Sequence, residues 1–442
     1  MTIRMDEGAA ELLDTLHRAG YAAYVVGGCV RDSLLGLTPH DWDLCTSALP
    51  QQGMELFGEE KCIPTGLQHG TVTVKQGGGL YEITTFRTEG AYTDGRHPDE
   101  VHFVPDVRED LARRDFTINA MAYNAKEGLV DPFGGQADLQ SGILRAVGVP
   151  HQRFTEDALR ILRLYRFAAR FGFAIDPPTA QAAQELCAHL DCVSVERIEE
   201  ELAKLLSAPA PAAYLDEKIL GVVLPELSPE ALAAAKPVVD ACPAGEQALP
   251  VRLAALLLSL GEDGTRRTLR RLRCSNACIE ETAVLVREVV SGVPGAFSSD
   301  TNRAIPSPAL LPAAIGSHPS GRSSEKLSAR PPVFLNIYTR KLLGKYNLCT
   351  VQRLAALGTA LQPEHAADFA ALSELAEQLD ADGVCCRVSQ LAVNGRDLMA
   401  AGVPAGPGIR KVLEALLDGV IREEYPNERQ ALLAAVQQLA AS

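Results

Sequence analysis

Over the first 90 positions apolar residues come in short runs broken by glycine and proline, the pattern of strands alternating with brief helices. Residues 24–26 (YVV) read as a buried strand. They are followed by Gly27-Gly28, a short helix carrying Arg31 and Asp32, a turn over residues 36–39, and a second strand bearing Asp41 and Asp43. Further strands are predicted over residues 61–64, 70–75, 80–86 and 101–104, with the glycines at 77–79 as a hairpin turn. After about residue 150 the apolar period changes from 2 to 3.6 residues. Residues 154–173 (FTEDALRILRLYRFAARFGF) predict one amphipathic helix ending at Gly172, and residues 195–206 another, capped by Ser194. The expected organisation is a mixed α/β unit over 1–150, helices over 151–225, a helical segment over 226–332, and helices again over 333–442. Within the third segment, residues 291–332 are rich in Ser, Pro and Gly, the composition of a mobile insertion.

Composition narrows the class. A chain of 442 residues with 47% hydrophobic and 22% charged positions fits a soluble protein of about two to four domains. The start, MTIRMDEGAAELLDTLHRAGY, reads as an amphipathic helix rather than an export signal, and the apolar run 253–260 is far too short for a bilayer. The expectation is a cytoplasmic protein with no membrane partner. The 11 cysteines are scattered without a paired C-x-x-C pattern, which favours small core residues over a zinc site. A net charge of −14 argues, on average, against a nucleic-acid partner. A polyanion needs only a local basic track, however, and two are available. They are Arg160, Arg163, Arg166 and Arg170 in one helix, and Arg266, Arg267, Arg270, Arg271 and Arg273 in another. The competing reading of each is a solvated helix face paired with glutamates.

The chemistry concentrates in YVVGGCVRDSLLGLTPHDWD, residues 24–43. Acids two apart on a strand share a face, so Asp41 and Asp43 can both reach one divalent cation. The pair Gly27 and Gly28 lets backbone N–H groups approach a phosphate at a helix start. A phosphate cradle beside a paired-carboxylate metal site suits nucleotidyl transfer. His40-Asp41 as a metal phosphohydrolase dipeptide is the weaker alternative, since no further His/Asp pattern supports it. GGCVRD, LLG and DWD, in this order and spacing, resemble the signature of the tRNA nucleotidyltransferase and poly(A) polymerase family, in its bacterial-type class II branch. The later segments RRDFTINAMAY (113–123), DPFGGQADL (131–139), EDALR (156–160) and SVERIEEELAKLL (194–206) agree with it, as does the tail around NGRDLMAAGVPAGPGIRK.

That resemblance implies an α+β fold: a polymerase-beta-like nucleotidyltransferase head with a small mixed sheet, then all-helical neck, body and tail domains. It implies template-independent addition of C, C and A to the 3′ end of tRNA from CTP and ATP. Mg²⁺ would be held by Asp41 and Asp43, with Glu82 as a possible third carboxylate. Gly27, Gly28, Arg31, Arg114 and Asp115 would contact triphosphate and ribose. Asp157 and Arg160 would read the Watson–Crick edge of the incoming base, with Arg163 and Arg166 deeper towards the triphosphate. A mobile loop is expected over residues 88–98, and Arg410 in the tail either contacts phosphate or marks a packing change. Three other products fit parts of the pattern. Poly(A) addition is disfavoured because residues 45–57 carry no Arg or Lys. Addition of only CC or only A would use the same base-reading pair. A non-catalytic RNA-binding relic would have no need of intact metal ligands.

Overall fold

The computed structural model describes residues 3–90, 100–290 and 333–439. The insertion expected over 291–332, and most of the loop expected over 88–98, lie outside the described residues. The chain forms two compact units: Met1–Pro229 with Arg271–Arg273, and Glu230–Arg270 with Cys274–Ser442.

The first unit opens with helix α1 (Glu7–Arg18), started by Asp6, whose carboxylate accepts from Gly8 N at 3.0 Å. Then come β1 (Ala23–Val26), α2 (Gly28–Leu34), β2 (Leu44–Thr46), α3 (Pro50–Phe57), β3 (Cys62–Gly66), β4 (Thr71–Gln76) and β5 (Gly79–Thr85). Next are β6 (Arg87–Glu89), β7 (Val101–Phe103), α4 (Val107–Ala112), β8 (Ala122–Asn124), β9 (Gly128–Val130) and α5 (Gly135–Ser141). The seven-stranded sheet has the order β3-β4-β5-β2-β1-β8-β9 and is mixed: β2 and β5 run parallel, the other neighbours antiparallel. Strand alternation sorts its two faces. Val25, Leu44 and Ile83 join Leu12, Leu13 and Leu16 of α1 in one core. Tyr24, Val26 and Cys45 join Phe86, Val107 and Leu111 in the other. Each fully buried leucine of α1 contributes roughly 1.5–3 kcal/mol.

Two expectations need correction here. The strand carrying the acids begins only at Leu44, so Asp41 and Asp43 lie in the extended lead-in. The Asp43 carbonyl still accepts from Val26 N at 3.0 Å, so pairing with β1 reaches Asp43 before the chain turns away. Residues 87–89, expected at the junction of strand and mobile loop, form β6 and pair with β7.

The helical part of this unit begins after β10 (Ile143–Leu144) with α6 (Pro150–Glu156) and α7 (Leu159–Phe171), followed by β11 (Ala174–Ile175), α8 (Pro177–Glu185), α9 (Val195–Leu206) and α10 (Glu217–Val223). The single helix expected over 154–173 is thus two. Asp157 is extended (φ −143°, ψ 104°) between them, because its carboxylate takes the N–H of Leu159 at 3.0 Å and starts α7 afresh. Gly172 ends α7 in the left-handed conformation (φ 68°). Ser194 does precede α9, but its side chain makes no capping bond.

The second unit is helical throughout its described residues: α11 (Pro229–Ala241), α12 (Leu249–Leu257), α13 (Gly261–Arg271), α14 (Asn276–Val290), α15 (Val333–Lys345), α16 (Leu348–Leu361), α17 (Ala366–Ala381), α18 (Gly395–Ala400), α19 (Gly408–Ile421) and α20 (Arg429–Leu439). Leu398, Leu416, Val420, Leu432 and Val436 form a separate core at its C-terminal end. No helix among the described residues is long and apolar enough to cross a membrane.

Candidate active site

Asp43 and Glu82 flank each other across the parallel pair β2/β5. The register couples Leu44 with Ile83, so the next residues back, Asp43 and Glu82, are lateral neighbours on the face away from α1. Asp43 is open to solvent at its rim, yet protein atoms crowd it. Its carboxyl is pushed up by that partial burial first, then by the charges of Glu82 and Asp41, with Arg114 pulling the other way. Neighbouring carboxylates that crowd Asp43 with negative charge form a donor set a divalent cation would relieve, so these residues fit the metal that the two-acid spacing suggests. Among the described residues no three His, Cys, Asp or Glu side chains converge as a metal cage. Glu82 therefore flanks the pair in this conformation rather than closing a cage.

The glycine pair follows Val26, whose N–H bonds to the Asp43 carbonyl. Gly27 has φ 78°, a conformation other residues reach with strain, and a Cβ there would lie 2.9 Å from Nη1 of Arg114. Glycine thus allows the guanidinium onto the α2 start. Arg114 is further tied to Asp110, which is fully buried and accepts from Arg114 Nη2 at 3.4 Å and Arg113 Nη2 at 2.7 Å. Burial alone would raise the Asp110 carboxyl; the two arginines outweigh it and hold it below the ordinary range. At DPFGG, Asp131 accepts from Gly135 N at 2.7 Å and Gln136 N at 2.9 Å, and a Cβ on Gly135 would strike the Thr117 carbonyl at 2.2 Å. Packing accounts for that motif without a ligand.

Next to Arg114 lies a cavity of about 290 Å³ lined by Arg113, Arg114, Asp115, Asp157, Leu159, Arg160, Arg163 and Arg197. It gathers most of the nucleotide-contact residues predicted from sequence. Asp115 is nearly filled: its carboxylate accepts from Phe116 N (2.8 Å), Asn119 Nδ2 (3.0 Å), and Arg163 Nε (3.0 Å) and Nη2 (2.7 Å). Burial acts to raise its pKa, but Arg163 and Asn119 hold it far below the usual carboxylate range. A carboxylate offers about four acceptor positions, so a ribose hydroxyl would have to replace one of these donors. Asp157 is different. Its close donors are Leu159 N (3.0 Å) and Arg197 Nη2 (2.9 Å), which leaves acceptor capacity facing the cavity. Arg160 is steadied by Glu156 Oε2 (2.8 Å) and by the Arg113 carbonyl (3.1 Å).

Four predicted contacts do not line the cavity: Gly27 and Gly28, at the α2 start, and the arginines Arg31 and Arg166. Arg31 is only 4% exposed, bonded to Asp32 and Asn119 and stacked against Phe167 and Phe171. Arg166 is 8% exposed, bonded to Glu201 and set over the Phe167 ring at 3.8 Å. Both turn inward because an aromatic face and a carboxylate are offered there together. Conversely, Arg197 was missed. Its only sequence signal is its place on α9, four residues before Glu201, so that one α9 face sets Arg197 and Glu201 against Asp157, Arg163 and Arg166 of the preceding segment. A second, larger cavity of about 950 Å³ borders Asp41, with Arg4, Leu37, His40, Trp42 and Leu80 in its wall.

The basic track predicted on α13 is largely spoken for. Arg266 pairs with Glu262 at 3.0 Å and also with Glu280, Arg271 with Glu226 at 2.7 Å, and Arg273 with Glu196, while Arg267 and Arg270 are exposed and make no ion pair among the described residues. Arg410 is exposed and bonds to Glu414 at 2.9 Å.

This head, with its mixed sheet and paired acids, places the protein among the polymerase-beta-like nucleotidyltransferases, a class that uses divalent metal ions. Residues 23–145 match the sequence model described as the poly A polymerase head domain. Residues 172–230 match a probable RNA- and SrmB-binding site of polymerase A, and residues 339–436 a putative tRNA nucleotidyltransferase domain 2. The chain is 36% identical to the CCA-adding enzyme of Lactiplantibacillus plantarum over 97% of its own length and 95% of that protein's. It is 35% identical to the CCA-adding enzyme of Geobacillus thermodenitrificans, over 96% and 95% respectively. The crystal structure of the Bacillus stearothermophilus CCA-adding enzyme in complex with CTP superposes with a TM-score of 0.76 at 30% identity, covering 99% of this chain and 98% of that one. The chain belongs to the CCA-adding enzyme family.

Proposed function

We propose that this protein adds C, C and A in turn to the 3′ end of tRNA from CTP and ATP, releasing pyrophosphate, and that it works in the cytoplasm. The observation that carries the reading is one arrangement: Arg114, which lines one cavity with Asp157 and Arg160, acts electrostatically on Asp43, and Asp41 borders a second cavity. A displacement in line at phosphorus needs its nucleophile and leaving group on opposite sides of the reacting atom. The 290 Å³ cavity then takes the nucleoside triphosphate, and the acceptor hydroxyl arrives from the side of Asp41. Magnesium bound at Asp41 and Asp43 would acidify that hydroxyl and neutralise charge on the attacking and leaving oxygens.

The side chains do the selecting. Asp157, fixed by Arg197, accepts from the exocyclic amine that cytosine and adenine share, while Arg160 donates to a ring nitrogen or carbonyl. Uracil and guanine present a carbonyl where that amine should be, leaving a carboxylate facing an acceptor, a mismatch of about 1–3 kcal/mol per pair. Arg114 neutralises triphosphate oxygens beside Gly27 and Gly28. Arg163 lines the same cavity and is held by Asp115. Residues 1–150 serve as catalytic head and 151–225 as the base-reading neck. Residues 226–332, with the 291–332 insertion, and 333–442 form the body and the tRNA-gripping tail. The many relatives named CCA-adding enzymes favour full CCA addition over CC-only or A-only addition.

The deciding experiment offers tRNA ending at the discriminator base, at C, or at CC to the protein with Mg²⁺ and either CTP or ATP. Addition of two C residues and then one A supports the reading; a single nucleotide type, or a long A tract, replaces it with one of its alternatives. Asp41→Ala and Asp43→Ala should abolish all addition while tRNA binding survives.

A further inference from the structure

Helix α15 and the C-terminal core of the second unit meet through two arginines, one from each side. α19 stops at Ile421, and the chain turns back with Glu423 in the left-handed region (φ 61°), a conformation that strains a residue with a Cβ. Arg340 of α15 reaches that turn. Its Nη1 donates to the Val420 carbonyl at 3.3 Å and its Nη2 to Glu423 Oε1 at 3.2 Å. In return, Arg387 finishes α15, which ends at Lys345. Its Nε donates to the Leu343 carbonyl at 3.1 Å and its Nη2 to the Tyr346 carbonyl at 3.0 Å. Each helix end, the negative pole of its dipole, is thus met by a guanidinium from the other element. Between these ties Lys341 pairs with Asp418 at 2.8 Å, and a Cβ on Gly344 would come within 2.5 Å of the Cys386 carbonyl. The C-terminal core around Leu398, Leu416, Val420, Leu432 and Val436 takes no side chain from α15. These contacts make the joint polar and directional.

We propose that Arg340 and Arg387 are positioning residues that hold residues 385–439 in one orientation on α15, so that the surface gripping tRNA is set before tRNA arrives. The proposal rests on the reading of residues 333–442 as a tRNA-gripping tail and deepens it. A planar fork that donates to two acceptors fixes an angle as well as a distance, which an apolar seam does not. The ties fall at Arg340 and at residues 343–346, roughly 5–9 Å apart along α15, so together they prevent a swing that either alone would allow. A surface fixed in advance loses less conformational freedom on binding, and the same contacts then bind more tightly. Glu423 shows what the joint requires: glycine would take its left-handed backbone without strain, but only the glutamate supplies a carboxylate to Arg340. The nucleotide cavity is built from residues 113–197 of the other unit, so the joint acts on tRNA binding and not on base choice.

The test measures tRNA affinity over a range of KCl concentrations, steady-state addition to tRNA ending at C, and thermal midpoint. It compares the wild type with Arg340→Gln, Arg387→Gln, their double variant and Glu423→Gly. Each arginine variant should raise the dissociation constant and the KM for tRNA about five- to tenfold, with kcat and the KM for CTP within about twofold. The double variant should fall short of the product of the two singles, because one lost tie already frees the joint. The salt slope of log Kd should match the wild type, since no phosphate contact is removed. Glu423→Gly is the sharpest arm. It removes an acid and relieves the backbone, so charge alone predicts tighter tRNA binding and packing alone a midpoint at or above the wild type's. The proposal instead predicts binding weaker by about threefold or more at that undiminished midpoint. A salt slope lower by about one per arginine would make these residues direct phosphate contacts and overturn the proposal. Wild-type tRNA affinity in folded variants would overturn it equally. If the arginine variants fail to fold, Glu423→Gly decides it. A wild-type protein that neither binds nor extends tRNA would refute the function itself, a result distinguishable from normal wild-type addition with unaltered variants.

Discussion

Arg197 donates to the carboxylate of Asp157 at 2.9 Å, across the gap between α9 and the start of α7. The pair spans 40 residues of sequence, and both residues line the 290 Å³ cavity proposed to take the nucleotide. A charged partner that stays in place keeps the Asp157 carboxylate aimed, while acceptor positions remain for an incoming amine.

Replacing Arg197 by alanine should therefore damage base choice without touching the metal site. Losing one charge-assisted hydrogen bond is worth about 1.5–3 kcal/mol, or roughly 10- to 150-fold in kcat/KM for CTP. Steady-state kinetics with CTP and UTP check this. The loss should be smaller than that of Asp157→Ala, and pyrophosphate release from the correct nucleotide should persist at a reduced rate. An Arg197→Ala enzyme with wild-type preference would leave the ion pair a purely structural role.

Asp115 gives the acid limb of stability. Its carboxyl is held far below the ordinary range in the folded chain, so its ionised form binds fewer protons than the unfolded chain does on acidification. The stabilisation is complete above the unfolded carboxylate pKa of about 3.9 and disappears as pH falls through the lower folded value. Urea midpoints measured from about pH 6 down to about pH 2.5 should fall more steeply below about pH 4 for the wild type than for Asp115→Asn. Near neutral pH the variant should be the less stable of the two, because Arg163 then faces a neutral amide.

Net charge is −14, so a tRNA backbone would be met first by arginines that glutamates do not already hold. Arg267 and Arg270 are exposed on α13, while Arg266 is paired with Glu262 and Glu280. Changing Arg267 and Arg270 to glutamine should weaken tRNA binding and lower the salt slope of log Kd by about one for each phosphate no longer neutralised. Arg266→Gln should leave that slope nearly unchanged. Filter binding across a range of KCl concentrations reads both.

The head was readable in the sequence because its signals are local. Short apolar runs with glycine turns gave β1, β4 and β5 to within a residue or so, and the order of GG, RD and D-x-D pointed at the family before any fold was known. Misplacements arose where a tertiary partner outweighed a local pattern. The repeat Asp157, Arg160, Arg163, Arg166 looks like one basic face of one helix. The Asp157 side chain instead breaks the helix, and Arg166 is drawn inward by Glu201 and Phe167. Arg31 follows the same rule, since nothing near it in sequence announces Phe167 and Phe171 136 and 140 positions later. Arg197 stayed hidden because a lone arginine on an acidic helix looks solvated until α7 is packed beside it.

The central claim is that protein side chains stand in for a complementary base. Single-turnover addition to tRNA ending at CC, with each of the four triphosphates, tests it most directly in Asp157→Ala combined with Arg160→Ala. The account predicts that tRNA binding and some metal-dependent addition survive while ATP loses its advantage over GTP and UTP by about 100-fold or more. A double variant that still selects ATP as sharply as the wild type would contradict it.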